Sequence, residues 1–215
     1  SWRNNLFRPS SNYDFTQKDF TRRVLKNAST QGKDLDGAIV GAAQVAGRWS
    51  TKSALTFKRP GDRVRINIPG DYKSLTFSCW TKIDSLDRLY NSLYLTDSYQ
   101  LGEPHWQIMN DGRLMFTTKV RDSRGRGQKL DSHKPTFSPV FWKAEYTGKW
   151  LHLAVRLDVD KQTVTHFVNG KAFSTHPIPP DYKVETTRFG TGEIGNWGLP
   201  NKPDKHYAVR NLNGA

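Results

Sequence analysis

Apolar and polar residues alternate along most of the chain from residue 37 onward. Successive side chains of a β-strand point to opposite faces of a sheet, so this period of two predicts strands that are buried on one side. Segments such as "KRPGD" and "PGDYK" separate the alternating runs and predict turns, because proline fixes φ and glycine allows unusual backbone angles. The predicted strands fall within residues 53–57, 62–68, 74–83, 88–97 and 105–120, the last of these folding back at Asn110-Asp111-Gly112.

The segment "WLHLAVRLDVDKQTVTHFVNGK", residues 150–171, predicts the centre of an antiparallel meander. When Asp158 pairs with Thr163 across the loop, one face of the two strands becomes apolar. That face carries Leu153, Val155, Leu157, Val164, His166 and Val168. Asn169 and Gly170 predict a tight turn, since both tolerate positive φ, and a third strand follows in "KAFST". His166 is expected to be a core histidine with a satisfied hydrogen bond, or a ligand contact if this face lines a cleft.

Several short strands with turn signals between them, and almost no helical periodicity, predict an all-β fold: an antiparallel β-sandwich of jelly-roll type. We assign residues 37–215 to this domain and residues 1–36, in which aromatic residues are scattered, to an N-terminal extension or linker. Within the extension, "FTQKDFTRRVLK" predicts one short amphipathic helix. The first residue is Ser1 rather than Met, so we expect the sequence to be a piece of a longer protein.

The net charge of +13 and the sequence pI of about 9.9 favour anionic partners, such as an acidic glycan, another anionic polymer or an anionic cell-envelope surface. Nucleic acid is disfavoured because no recognised nucleic-acid-binding motif accompanies the charge. The basic stretch "KVRDSRGRGQK", residues 119–129, predicts either a mobile solvated loop or an anion-binding loop. No window approaches the roughly 18 apolar residues of a membrane helix, so we expect no membrane insertion by this sequence.

Five segments occur in a characteristic order: "GAAQVAGRWSTKSALTFKRPGDRVRINIPGDYKSLTFSCWTKID", "HWQIMNDGRLMF", "WLHLAVRLDVDKQTVTHFVNGK", "IGNWG" and "RNLNG". Over residues 37–214 this series resembles the laminin-G-like, concanavalin A-like lectin and glucanase superfamily. The nearest similarity is to bacterial envelope proteins in which such a domain follows an iron-dicitrate-sensor-type anti-sigma regulator segment and one membrane helix. In that superfamily "RNLNG" leads into one more strand that closes the sheet. Beside Ala215 we therefore expect either that this strand lies outside the sequence or that another segment covers the edge.

The resemblance implies an extracytoplasmic bacterial location, in the periplasm or cell envelope, and a non-catalytic carbohydrate- or ligand-binding role. We expect an acidic glycan as the ligand and envelope proteins as further partners. One alternative is a structural or protein-interaction domain of a cell-envelope protein. Another is a polysaccharide lyase of jelly-roll fold.

Carbohydrate sites combine aromatic rings, which pack against the C–H surfaces of sugars, with planar polar groups that bond their hydroxyls. Two stretches of the sequence offer both, "LTDSYQLGEPHWQ" and "GNWG". The predicted ligand-binding residues are Asp97, Tyr99, Glu103, His105, Trp106, Asn196 and Trp197. For each aromatic residue the alternative role is packing in the core or at its rim.

No metal site, cofactor or catalytic residue is predicted. The sequence has no His/Cys cluster and no H-E-x-x-H motif, and its single cysteine, Cys79, is expected to be a buried thiol. Calcium is an alternative at Asp97 or Asp158–Asp160, although neither stretch has the ligand density of an EF-hand loop. Glycoside hydrolysis needs two carboxylates that flank the scissile bond, whereas the candidate carboxylates are isolated in the sequence. They are Asp97, Glu103, Glu145 and Glu193.

Two stretches, "HWQIMNDG" and "VFWKAEYTGKW", are faintly similar to motifs of alginate-type polysaccharide lyases. Met109 stands where that family has its proton-transferring histidine, and Glu145 stands where it has a glycine. These departures remove the proton-transfer step, so lyase activity is the less favoured interpretation.

Overall fold

The computed structural model describes residues 11–13, 23–29, 35–121, 131–197 and 210–215. They contain fifteen strands and two short 3-10 helices, Ala144–Tyr146 and Pro180–Tyr182. The strands are β1 (Val24–Leu25), β2 (Gly37–Val40), β3 (Ala43–Ala46), β4 (Ser53–Thr56), β5 (Arg63–Ile68), β6 (Ser74–Lys82), β7 (Tyr90–Thr96), β8 (Pro104–Met109), β9 (Arg113–Arg121), β10 (Asp131–His133), β11 (Thr136–Val140), β12 (Trp150–Asp158), β13 (Thr163–Val168), β14 (Lys171–Pro177) and β15 (Gly190–Ile194).

The strands form two main sheets and one hairpin. The larger sheet has nine strands in the order β1-β2-β5-β15-β7-β8-β9-β10, and β11 also pairs with β9. The smaller sheet has four strands in the order β14-β13-β12-β6, and β3 pairs with β4 in a separate hairpin. All of these pairings are antiparallel. The predicted all-β antiparallel β-sandwich is therefore confirmed.

The hydrophobic core lies between the two main sheets. Alternate residues of each strand point inward, as the period of two predicted. From the larger sheet the core receives Val64, Ile66, Tyr94, Ile108, Leu114 and Phe116. From the smaller sheet it receives Leu75, Leu151, Leu153, Val155, Leu157 and Val164. Burying each such side chain contributes about 1.5–3 kcal/mol to folding, which makes this interface the main source of stability.

The meander predicted within residues 150–171 is confirmed. β12 and β13 pair with Asp158 opposite Thr163, so the apolar residues of both strands share the core face. Asn169 and Gly170 have φ values of 51° and 79°, and they form the tight turn that leads into β14. This turn sets the register because only residues that tolerate positive φ fit both central positions.

His166 lies on the core side of β13 with 0% of its surface exposed. The predicted core position is confirmed, and among the described residues no partner of either ring nitrogen meets hydrogen-bond geometry. The backbone of Thr136 is near the ring but outside hydrogen-bond geometry, and the His176 ring lies 5.9 Å away. Burial lowers the pKa of His166 to about 4, since a charged imidazole would lose its hydration there.

Three predictions concern regions that the structure describes only in part. Val24–Leu25 form β1 and pair with β2, so these two residues are strand and not helix as predicted. Residues 15–22 of the predicted helix lie outside the described residues. β9 carries the first part of the basic stretch as far as Arg121, and the rest of it also lies outside them. Within the described ranges no helix is long and apolar enough to cross a membrane.

Most of the β6 edge of the smaller sheet has no pairing strand among the described residues. At the end of β6 the backbones of Lys82 and Ala215 exchange two hydrogen bonds of 2.7 and 2.8 Å, as opposed residues of an antiparallel pair do. Along the rest of β6, β12 is the only strand that pairs with it in the described part of the chain. A cavity of about 710 Å³ opens beside this edge, with Ile68, Phe77 and Tyr94 in its wall.

Candidate ligand-binding face

His105 and Trp106 are neighbours on β8, and the strand directs their side chains to opposite faces of the larger sheet. Trp106 points into the core, where it is 2% exposed and stacks on Phe77 with ring centres 5.8 Å apart. His105 lies on the outer face, the side of the larger sheet turned away from the smaller one. Trp106 was predicted to bind ligand, and its burial in the core removes it from the candidate site.

Two other predicted binding residues have structural roles. Glu103 is 7% exposed, and its carboxylate accepts hydrogen bonds from the backbone N–H of Gln100 at 2.6 Å and the Ser98 hydroxyl at 3.2 Å. Asn196 has 0% exposure, and its side-chain oxygen accepts a bond from the backbone N–H of Trp197 at 2.8 Å. Both side chains hold their loops in shape instead of facing a ligand.

The remaining four predicted residues, Asp97, Tyr99, His105 and Trp197, lie on the outer face. His105 is only 6% exposed there, and its ring contacts those of the more exposed Tyr99 and Trp197. The ring centres of Tyr99 and His105 are 4.1 Å apart, and those of His105 and Trp197 are 5.1 Å apart. The Tyr99 hydroxyl bonds the Thr117 hydroxyl at 3.1 Å, and the Trp197 indole donates to the Thr96 carbonyl at 2.8 Å. Residues from both predicted loops therefore lie together on this face, and their role in ligand binding stays a prediction.

Arg210 and Tyr90 extend this surface. The Arg210 guanidinium lies over both the Trp197 ring, at 4.4 Å, and the Tyr90 ring, at 4.3 Å. We call the continuous series Tyr99, His105, Trp197, Arg210 and Tyr90 the outer-face row. The sequence pattern does not indicate Arg210 or Tyr90, because neither belongs to the two stretches that carry the predicted site and only the fold brings them to Trp197.

Asp97 belongs to a charged cluster beside the outer-face row. Its carboxylate forms two bonds with the Arg65 guanidinium, at 2.7 and 2.5 Å. Glu193 accepts a third bond from the same guanidinium at 2.9 Å, and it also pairs with Arg63 at 3.1 Å. Sequence analysis missed Arg65, Arg63 and the role of Glu193. The pairing of β5 with β15 sets Arg65 opposite Glu193, a relationship that no local motif encodes.

His105 and Tyr99 are neutral at physiological pH. Burial, the largest cause, lowers the pKa of His105 to about 3, and the nearby charge of Arg210 acts in the same direction. His105 Nε2 lies 3.2 Å from the Thr96 carbonyl, and since a carbonyl only accepts, this nitrogen carries the proton. Burial also raises the pKa of the Tyr99 hydroxyl far above its usual value.

Arg210 carries the positive charge of the row. Burial lowers its pKa, but a guanidinium remains protonated at neutral pH. None of the ion pairs between described residues involves Arg210. Its Nη1 is 3.4 Å from the Gln107 side-chain oxygen, and its buried Nε has no hydrogen-bond partner in the described part of the chain. The row can thus offer an anion a cation whose charge no described carboxylate neutralises.

A family model described as the concanavalin A-like lectin/glucanases superfamily matches residues 60–199. The chain belongs to this superfamily. No curated protein matches the chain, and the nearer similarity to anti-sigma regulator proteins stays a prediction.

Solved structures share the concanavalin A-like fold at low sequence identity. Domain 4 of AbnA, an extracellular arabinanase from Geobacillus stearothermophilus solved with arabinotriose, is 18% identical with a TM-score of 0.57, over 87% of this chain and 84% of that chain. A second structure comes from work on botulinum neurotoxin type C, whose cell entry depends on two ganglioside molecules. It is 13% identical with a TM-score of 0.56, over 86% of this chain and 42% of that one. At such identities the likeness shows the fold.

Among the carboxylates weighed for catalysis or calcium binding, those of Asp97, Glu193 and Asp158 are engaged in structural bonds. Asp97 and Glu193, isolated in the sequence, share Arg65, whereas Glu145 is exposed on a 3-10 helix. Asp158 accepts the backbone N–H of Lys161 at 3.0 Å, as in a turn. Within the described ranges no group of three or more His, Cys, Asp or Glu side chains is placed to hold a metal ion.

Proposed function

We propose that this domain is a non-catalytic glycan-binding module whose ligand lies against the outer-face row. The observation that carries the proposal is the row itself, in which aromatic rings and one guanidinium lie in continuous contact on a sheet face. Sugar C–H surfaces pack on such rings, while the guanidinium and the neutral polar groups bond the oxygens. The rigid sheet holds these groups before the ligand arrives, which lowers the entropy cost of binding.

An acidic glycan is the ligand class that the charges favour. The chain carries a net charge of +13, and the Arg210 cation lies within the row without a described carboxylate partner. A carboxylate or sulfate group on the sugar would accept charge-assisted bonds from this guanidinium. Long-range attraction to the basic surface would also speed association at low ionic strength.

The solved structures with the same fold support a carbohydrate role by analogy. Domain 4 of the arabinanase was solved in complex with arabinotriose, and the binding domain of botulinum neurotoxin DC, with a TM-score of 0.51, was solved in complex with SialylT. A fold alone does not define a ligand, so the proposal rests on the row. We further propose an extracytoplasmic location in a bacterial cell envelope, where glycans and envelope proteins are both accessible partners.

Binding to a glycan array with acidic and neutral members at low ionic strength tests the proposal, followed by calorimetry on each hit. We expect Trp197→Ala and Arg210→Gln each to weaken binding by about tenfold, which corresponds to roughly 1.4 kcal/mol. Phe173→Ala and Arg156→Gln are matched controls, because both residues are exposed on the smaller sheet. Folded protein that binds no glycan, or equal losses in the controls, would contradict the proposal.

A lyase activity has a direct assay. Release of unsaturated, ultraviolet-absorbing ends from alginate or pectate would show catalysis. We expect none, because the β8 position that needs a proton-transferring histidine holds Met109.

The open edge of β6 favours a second candidate function, protein interaction by β-strand addition. Lys82 directs its backbone N–H and C=O to the open side, so the alternate residues Trp80, Ser78 and Thr76 do the same. The cavity beside them is lined by apolar side chains such as Phe77 and Leu75. The partner we propose is an extended segment of another protein with apolar side chains at every second position.

Hydrogen exchange tests strand addition. A synthetic peptide of alternating valine and threonine is expected to slow exchange at the amides of Thr76, Ser78 and Trp80. A control peptide of the same length, in which three residues are replaced by proline, is expected to leave the exchange unchanged. Strong protection of these amides in the protein alone would argue that another part of the chain already covers the edge.

A further inference from the structure

Two tryptophans are exposed at the outer face of the smaller sheet. Trp80 on β6 is 39% exposed, and Trp49 in the loop between β3 and β4 is 48% exposed. Their ring centres are 6.0 Å apart, with the planes at 73°. Exposed indoles that lie together form a patch of the kind that binding surfaces use.

Arg48 lies over both rings. Its guanidinium carbon is 3.3 Å from the centre of the Trp80 ring and 4.5 Å from that of Trp49. A guanidinium this close to an indole face is stacked on it, so its N–H donors point sideways, away from the ring. No ion pair between described residues involves Arg48. The rings therefore orient its charge without neutralising it.

The loop that carries Arg48 and Trp49 is held in one shape. The Gly47 N–H donates to the Lys52 carbonyl at 2.8 Å, and the Lys52 N–H donates back to the Trp49 carbonyl at 2.9 Å. A side chain at Gly47 would place its Cβ 2.6 Å from the Lys52 oxygen, so the turn depends on this glycine. The arginine and the indole are thus preorganised.

The neighbours of Trp80 add positive charge and a neutral imidazole. His152, its cross-strand partner, has its ring 5.1 Å away and bonds the Ser78 hydroxyl at 2.8 Å. Burial first, and then the Arg48 charge, lowers the pKa of His152. The Lys82 ammonium lies 5.6 Å from the Trp150 ring on the same face. The patch is therefore cationic and aromatic.

We propose that Arg48, Trp49 and Trp80 form a second binding site, which takes the carboxylate of an acidic sugar residue. The planar carboxylate accepts two bonds from the outward N–H donors of Arg48, and the sugar ring packs on the exposed indole of Trp49. Trp80 is a positioning residue, because its face is covered by the guanidinium that it holds. This site lies on the opposite sheet from the outer-face row, and the two share no residue.

Titration with an oligogalacturonate, and with its methyl ester as the neutral control, tests the site. The readout is the indole N–H NMR signals of Trp49 and Trp80, assigned by Trp→Phe variants. We expect both signals to shift with the acid and not with the ester. Arg48→Gln is expected to weaken the titration about tenfold or more, in line with the loss of charge-assisted hydrogen bonds. Arg48→Lys is expected to restore little, because an ammonium lacks the planar fork.

Arg156→Gln, an arginine change on the same sheet face, and Trp197→Ala, a change in the outer-face row, are both expected to leave these shifts unaltered. The proposal is overturned if the two indole signals do not move, if the methyl ester shifts them equally, or if Arg48→Lys titrates like the wild type. It is also overturned if anionic phosphatidylserine vesicles shift the signals while the oligogalacturonate does not, which would assign the patch to a lipid surface. Because Trp197 serves only the other site, failure here leaves the proposed glycan function of the row separately testable.

Discussion

Arg65 and Asp97 form a two-point ion pair on the outer face of the larger sheet, with N–O distances of 2.7 and 2.5 Å. Arg65 belongs to β5, and Asp97 directly follows β7. Between these strands runs β15, whose Glu193 accepts a further bond from Arg65 at 2.9 Å. The bond to Asp97 is the largest cause that raises the pKa of Arg65 above its usual range. One guanidinium thus connects three neighbouring strands beside the proposed glycan site.

Carboxylate removal in this cluster is expected to lower the free energy of unfolding in a defined order. Glu193→Ala should have the larger effect, about 3–5 kcal/mol, because Glu193 is 1% exposed and its carboxylate pairs with both Arg63 and Arg65. Asp97→Ala should lose about 1–3 kcal/mol, since Glu193 still neutralises Arg65. Urea denaturation of both variants measures this, with exposed Asp160→Ala as the control. Equal losses in all three variants would contradict the assigned roles.

The two tryptophans of the predicted site are expected to separate stability from binding. Trp106→Ala should lower the free energy of unfolding by about 3–5 kcal/mol, because it leaves a cavity beside Phe77 in the core. Trp197→Ala should weaken glycan binding with a much smaller effect on stability, since the indole is half-buried at the surface. Thermal melting and calorimetry on the same samples give both values. If the Trp106→Ala protein kept its stability but bound glycan less tightly, Trp106 would be a binding residue and its assignment to the core alone would be wrong.

His166 is expected to make stability depend on pH. Its pKa is about 4 in the folded state and about 6.5 in an unfolded chain. Below pH 6.5 the unfolded state therefore binds more protons, so stability is complete above this pH and falls as the pH drops from 6.5 towards 4. The loss from this residue approaches about 3 kcal/mol.

Urea denaturation between pH 4 and 8 measures this dependence. His166→Leu should reduce the slope without abolishing it, because buried His105, with a pKa of about 3, contributes in the same direction. His133→Gln is a control, since that side chain is exposed. An unchanged slope in His166→Leu would show that the imidazole is not the titrating group.

Two glycines with similar φ are expected to differ in their tolerance of alanine. Gly170 has a φ of 79°, and a Cβ at this position would have no other atom within 4 Å. Gly170→Ala should therefore lower the free energy of unfolding by about 1–2 kcal/mol, from backbone strain alone. Gly195 has φ of 81°, and its Cβ would lie 2.4 Å from the Phe57 ring. Overpacking should add about 1–3 kcal/mol there. Denaturant midpoints compare the two, and Gly170→Asn should recover most of the first loss because asparagine tolerates this conformation.

The sequence alone determined the fold class and the central meander. Alternation of apolar and polar residues encodes which side of each strand is buried, and Asn169-Gly170 encodes a turn whose backbone angles few residues adopt. Together these local rules were sufficient to place Asp158 opposite Thr163 and His166 in the core. They act between residues that are close in the chain, where the strand period and the turn leave one register.

The composition of both proposed sites was decided only by the tertiary structure. Local pattern placed Trp106 beside His105, but the pleat sends one to the core and the other to the outer face. Arg65 contacts Asp97 because β15 lies between β5 and β7, which come much earlier in the sequence. Arg210 contacts Trp197 because the segment that carries it returns to the same sheet face. Arg48 reaches Trp80 across a hairpin and a sheet edge in the same way. Such contacts depend on the order of strands in a sheet, which the alternation of a single strand does not specify.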